Sequence, residues 1–238
     1  MRRKTVFAVL AVILIPVLVS CSAKETNDVT GNTTAGAIDH SSYVAAANTA
    51  DEGNKIQVES PMTLSSTMCT LNGKTAYLRL KMVEGRYYED WNPGPFMGTI
   101  WEGYYIAELA DEYGNTVMQT DFSKLYNSGS EPLTFRFWFD FELDDYNGDG
   151  DPDFTAGQYG SSNGMDYKLF TIRKDGRIEE LPVKDYPTLF ISNTTGYYST
   201  KLEKISSTSF KREYYDNSKG KHIEDTFEWN GREFIQGT

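Results

Sequence analysis

Lys168-Leu-Phe-Thr-Ile-Arg-Lys-Asp-Gly-Arg-Ile-Glu-Glu-Leu181 places two short runs rich in apolar and β-branched residues on either side of an Asp-Gly pair. Glycine accepts the positive φ that a tight hairpin turn needs, so the stretch reads as two antiparallel strands joined at Asp175-Gly176. The same logic repeats in Phe227-Glu-Trp-Asn-Gly-Arg-Glu-Phe-Ile235, turning at Asn230-Gly231. A third hairpin is expected at Asp111-Glu-Tyr-Gly-Asn115 after Tyr104 to Leu109, although Tyr104 to Ala110 also fits a short helical turn. Tyr77 to Met82 and Leu133 to Phe141 alternate, or nearly so, between apolar and polar residues, as half-buried strands do. These runs predict an all-β fold, either an antiparallel β-sandwich or a partial, propeller-like meander of hairpins, in a single domain over 54–238. Two segments read as irregular. Tyr87 to Phe96 carries two prolines around a glycine, and Gly157 to Gly164 is rich in glycine and serine.

Between these strands lies Asp145-Tyr-Asn-Gly-Asp-Gly-Asp-Pro-Asp-Phe-Thr-Ala-Gly157. Oxygen-bearing side chains stand at positions 1, 3, 5 and 9, and Gly150 occupies position 6, where a calcium loop turns sharply. In such a loop Asp145, Asn147, Asp149 and Asp153 ligate Ca2+ by side chain and Asp151 by its backbone carbonyl. Position 12 is Ala156 rather than the bidentate glutamate of an EF-hand, and the flanking patterns are strands rather than helices, so the helix-loop-helix form is excluded. The remaining reading is an Asp-rich β-turn without an ion. Against it stands the mutual repulsion of four carboxylates within nine residues, which a cation relieves.

The run from Asp145 through Phe154 to Gly157 resembles the calcium loop of FG-GAP repeats, found in integrin α-chain propellers and bacterial surface proteins. In those repeats a strand leads into Asp-x-Asn-x-Asp-Gly-x-x-Asp and a glycine closes the next strand. The resemblance implies a structural Ca2+ site that supports a binding surface. It covers about thirteen residues and occurs once in the chain, which argues against a complete propeller.

The amino-terminal residues address location. Arg2, Arg3 and Lys4 precede an apolar run from Val6 to Val19 that is too short to span a bilayer and fits a signal-peptide core. Leu18-Val19-Ser20-Cys21 resembles the bacterial lipobox, and the chain as a whole resembles lipoproteins of Gram-positive bacteria. That resemblance implies cleavage after residue 20, acylation of Cys21 and anchorage on the extracytoplasmic face of the cell membrane. Residues 21–53 are rich in Ser, Thr, Asn, Ala and Gly and read as a flexible tether with a reach of roughly 30 Å.

The net charge is −11, and cleavage of the leader would remove three positive charges and no negative ones. A chain this acidic does not seek nucleic acid or anionic lipid, whereas cations, basic peptides and neutral glycans remain compatible partners. With Cys21 acylated, only Cys69 remains, so no intrachain disulfide forms.

Aromatic residues crowd Tyr87 to Tyr105. Trp91 and Trp101, with Tyr159 from the segment after the Asp loop, are candidates for a ligand surface that stacks on sugar rings. The competing reading is that these rings fill the β core. Glu89, Asp90 and Glu102 supply carboxylates for a glycosidase, but adjacent acids on a strand point to opposite faces, so Glu89 and Asp90 make a poor pair. Neither His40 nor His222 falls in a catalytic motif, and the Ser161-Ser162 pair lacks a nucleophile elbow. The expected function is therefore that of a lipid-anchored surface protein with one calcium site, a binding or accessory module for a glycan or surface protein, without catalytic residues.

Overall fold

A computed structural model describes residues 56–58, 60–194 and 197–237. The signal peptide, Cys21, the tether over 21–53 and His40 lie outside them. The described residues fall in one compact unit, Asn48–Thr238.

The chain is nearly all β, built as three antiparallel sheets of hairpins in chain order with no closed barrel. The first sheet holds β1 (Ile56–Gln57), β2 (Met62–Leu71), β3 (Lys74–Asp90), β4 (Gly98–Asp111), β5 (Thr116–Asp121) and β6 (Leu133–Phe135). Its spine is the long β3–β4 hairpin. β2 and β1 share the outer edge of β3, while β5 and β6 share the outer edge of β4. Gly85 and Gly103 face each other across the hairpin at a bulge. A Cβ on Gly103 would sit 2.2 Å from the Glu84 carbonyl oxygen, so the two backbones approach closely only because both residues are glycine.

The second sheet holds β7 (Leu143–Asp144), β8 (Asp153–Ser161), β9 (Gly164–Ile172), β10 (Ile178–Leu181) and β11 (Leu189–Ser192). The third holds β12 (Glu203–Ser206), β13 (Ser209–Asp216), β14 (Lys221–Trp229) and β15 (Phe234–Gln236). Asp175-Gly176, Asn230-Gly231 and Asp111 to Asn115 are all hairpin turns, and Tyr104 to Ala110 is strand rather than helix.

One hydrophobic core joins the first two sheets, with Leu78, Leu80, Met82 and Tyr105 packing with Phe154, Phe170 and Ile172. A second core joins the second and third sheets through Leu169, Leu181 and Leu189 against Phe210, Phe227 and Phe234. Cys69 is buried in the first core, and burial pushes its thiol up to about 11 against a lowering bond with the Leu78 backbone. That is a packed hydrophobe, not a nucleophile.

Three segments differ from the sequence reading. Gly157 to Gly164 is not irregular but the end of β8, a two-residue turn and the start of β9. Gly157 is there because a Cβ would lie 2.5 Å from the Tyr167 ring, and Gly164 because it would lie 2.2 Å from the Ile191 carbonyl oxygen. Tyr87 to Asp90 extends β3, leaving the loop to 91–97. Strand pairing in Leu133 to Phe141 stops at Phe135, and the remainder is a strap that crosses toward β2, where Phe139 N–H reaches Leu64 O at 3.4 Å. A six-residue helix, α1 (Phe122–Asn127), was not expected; Asp121 caps it by accepting Lys124 N–H, and Ser128 ends it in the left-handed region.

Candidate metal centre

The Asp loop joins β7 to β8, with Leu143 opposite Phe154 and Asp144 opposite Asp153 at its base. Tyr146 pins it to the second core. Its ring is buried against Phe210, and its hydroxyl accepts Leu202 N–H at 3.0 Å. Gly148 and Gly150 turn the chain with φ of 75° and 83°, a region that other residues enter only with strain.

The expected ligands curl around this turn. Asp145 accepts Gly148 N–H at 2.7 Å and Gly150 N–H at 3.1 Å, one on each carboxylate oxygen. Asn147 Oδ1 accepts Asp149 N–H at 3.0 Å, and Asp149 Oδ1 accepts Asp151 N–H at 2.9 Å. Asp153 Oδ2 accepts Tyr146 N–H at 2.8 Å. The loop thus folds on its own backbone donors, leaving further lone pairs on those oxygens for a cation.

Asp153 is fully buried, and its Oδ1 has no hydrogen-bond partner. Burial pushes this carboxyl up to about 7, with the Asp149 and Asp145 charges adding to the shift and Thr171 and Tyr146 N–H opposing it. Thr171 stands opposite Asp153 in the ladder, but its own Oγ1 is also buried without a bond of normal geometry. A buried acceptor left in this state costs free energy that a partner recovers.

Three cationic side chains, invisible in the loop's own pattern, flank it. Arg173 Nη1 pairs with Asp149 at 2.7 Å and lies 3.6 Å from Asp151. Lys201 and Lys204 each reach Asp144 at 3.2 Å, and Lys204 also donates to the Asp145 carbonyl. Burial alone would raise Asp144 and Asp149; hydrogen bonds from backbone N–H groups and these cations outweigh it and hold both carboxyls below their usual range. Arg173 also pairs with Glu179 at 2.9 Å, so its single charge is shared among three carboxylates, and among the described residues no ion pair reaches Asp145 or Asp153. Among the described residues no three His, Cys, Asp or Glu side chains converge as a preformed metal cage. Two of the expected ligands are an amide and a backbone carbonyl, and Asp149 Oδ2 is paired with Arg173.

An open cavity of about 510 Å³ lies beside the loop, walled by Cys69, Leu71, Leu143, Asp145, Asp151 and Lys174.

The structure does not bring the candidate aromatic residues together as one exposed platform. Trp91 is 66% exposed, and its Nε1 donates to Glu89 at 3.0 Å. Trp101 is half-buried, its ring 4.3 Å from that of Tyr87 and packed on the first core. Tyr159 is half-buried and meets Phe96 edge-on. The acids of the same region are taken by neighbours: Glu89 by Tyr87 and Trp91, Asp90 by Asn92, and Glu102 by Arg86 at 2.9 Å and Tyr88 at 2.7 Å. His222 pairs with Glu213 on an exposed strand face. Sequence reasoning missed Trp138, the most exposed tryptophan, because Leu133 to Phe141 read as one regular strand.

No protein-family model, no curated protein and no solved structure matches this chain.

Proposed function

We propose that this chain is a lipoprotein anchored through Cys21 to the extracytoplasmic face of the membrane. In this reading its β domain carries one structural Ca2+ at Asp145, Asn147, Asp149, Asp151 and Asp153 and serves as a binding or accessory module without catalysis. The observation that carries the calcium site is Asp153 Oδ1, a buried acceptor without a partner at position 9 of the loop. Asp145 and Asp153, which have no ion pair among the described residues, support the same ion, since a hard divalent cation takes oxygen ligands of this kind. Asp144, Lys201 and Lys204 then brace the loop from outside, and Arg173 ties Asp149 and Asp151 to Glu179. Bound there, the ion would fix the β7–β8 junction and with it the wall of the adjoining cavity. Extracellular modules hold calcium with Kd of about 0.1–1 mM, matched to the free calcium outside cells. Calorimetric titration of the full chain tests the site: a saturable heat near one calcium per chain is expected, and the absence of heat contradicts it. Intact mass measurement of the membrane-extracted protein tests the anchor, which requires acyl chains on Cys21 and loss of residues 1–20.

A further inference from the structure

The strap that follows β6 presents Trp138 to solvent on a base of packed phenylalanines. Phe135, Phe139 and Phe141 turn inward, with the Phe135 and Phe139 rings stacked 5.4 Å apart and Phe139 edge-on to Phe141 at 5.1 Å. Phe141 N–H donates to Thr67 Oγ1 at 2.7 Å and ties the strap to the outer edge of β2. Trp138 and Asp140, between these anchors, face outward, and the indole is 71% exposed. It stands over a groove of about 320 Å³ lined by Thr63, Ser65, Ser66, Phe139 and Asp140.

The groove is polar in an unusual way. A bulge in β2 between Thr63 and Ser65 breaks the alternation, so that Leu64 and Ser65 are buried in succession. Ser65 Oγ is buried without a hydrogen-bond partner. The hydroxyls of Thr63 and Ser66 and the carboxylate of Asp140 are exposed, and none has a hydrogen bond or ion pair among the described residues. Two exposed hydroxyls that both donate and accept, and one carboxylate that accepts, therefore share the groove with an exposed indole.

We propose that this groove binds a neutral pyranose of a glycan, its C–H face on Trp138 and its hydroxyls on Thr63, Ser66 and Asp140. An apolar peptide would strip water from these polar groups without pairing them. An acidic glycan or phosphate would meet Asp140 and a chain of net charge −11. A pyranose offers both an apolar face and a ring of hydroxyls, and the volume lies at the small end of the roughly 300–1,000 Å³ of small-molecule sites. One ring contributes few atoms, so a Kd on the order of 1 mM per ring is expected, improving with chain length. The site is separate from the Asp loop and does not depend on its ion.

The test is calorimetric titration of the full chain with cellohexaose, xylohexaose, mannohexaose, laminarihexaose, maltohexaose and chitohexaose, each in calcium and in EDTA. At least one is expected to bind in both buffers, with Trp138→Ala weakening it by about ten-fold or more and Trp91→Ala leaving it within about two-fold. Asp140→Asn and Ser66→Ala are expected to weaken it several-fold with an unchanged melting temperature, which separates lost recognition from lost folding. Three results would overturn the proposal: silence from all six sugars at about ten times that Kd, equal binding by Trp138→Ala, or a self-association that Trp138→Ala abolishes.

Discussion

Replacing Asp153 by Asn changes one atom at the position on which the calcium site turns. Its carboxylate has two tasks: Oδ2 accepts the buried Tyr146 N–H at 2.8 Å, and Oδ1 is free. Asparagine has a single acceptor oxygen, and the buried N–H claims it, because leaving that donor unpaired costs about 1–3 kcal/mol. The amide NH2 then occupies the Oδ1 position and points a donor at the cation, so binding is lost while the loop keeps its backbone bond. For the wild type, calcium at about 10 mM with a Kd of about 0.1–1 mM stabilises the folded chain by about 1.4–2.7 kcal/mol. In a unit the size of Asn48–Thr238 this is a Tm rise of about 3–11 °C. Scanning calorimetry in calcium and in EDTA reads it directly. Asp153→Asn should shift by less than about 1 °C, and in EDTA it should melt at or above the wild type, since an unpaired buried acceptor has been neutralised. Asp175→Asn, an exposed residue paired with Arg177 outside the loop, should keep the full rise. An Asp153→Asn variant as calcium-responsive as the wild type would refute the assignment of position 9.

Two further outcomes concern the frame that holds the site. Gly103→Ala places a methyl 2.2 Å from the Glu84 carbonyl oxygen and 2.8 Å from Gly85 Cα. It should cost about 3 kcal/mol or more and lower Tm by about 6–12 °C, whereas Gly73→Ala, open to solvent but at φ 74°, should cost only about 1–2 kcal/mol. Glu108 is buried in the first sheet and bonded by Lys81 at 2.6 Å, Arg79 at 3.3 Å, Thr116 and Gln119. Burial works to raise its carboxyl, but these partners outweigh it and bring it down to about 2 from an ordinary 4.5. A depressed acid stabilises the fold above its unfolded value, so this contribution, on the order of 2–3 kcal/mol, is present above pH 4.5 and is lost as pH falls toward 2. Urea denaturation of wild type and Glu108→Gln between pH 5 and pH 2 should converge as the acid limit is approached, and parallel curves would contradict the assignment.

What could be read in advance follows the range of the interactions involved. Asp175-Gly176 and Asn230-Gly231 were legible as turns because a hairpin is a local decision between glycine's positive φ and two adjacent apolar runs. Leu133 to Phe141 was misread because its alternation records which rings face the core, not which backbone groups are paired. β6 meets β4 only over Trp101–Gly103, and beyond Phe135 the strap runs past Ile100, Thr99 and Gly98 without pairing, held there by the Thr99 hydroxyl donating to the Arg136 carbonyl at 2.5 Å. Gly157 to Gly164 misled in the opposite way: its glycines make room for Tyr167 and the Ile191 backbone, neighbours a sequence pattern does not show. The Asp loop was legible in its spacing, but not in its charge balance, because Arg173, Lys201 and Lys204 arrive from later strands and connections. Trp138 could have been suspected only by asking which ring of an aromatic strap has nowhere to go.

The cation at the Asp loop would be visible in a crystal of the chain grown in calcium, with anomalous scattering recorded at long wavelength. One anomalous peak is expected inside the loop, with oxygens of Asp145, Asn147, Asp149, Asp153 and the Asp151 carbonyl at about 2.3–2.6 Å, and with Asp153 Oδ1 among them. A loop without a peak, its carboxylates held only by Arg173 and backbone N–H groups, would contradict it.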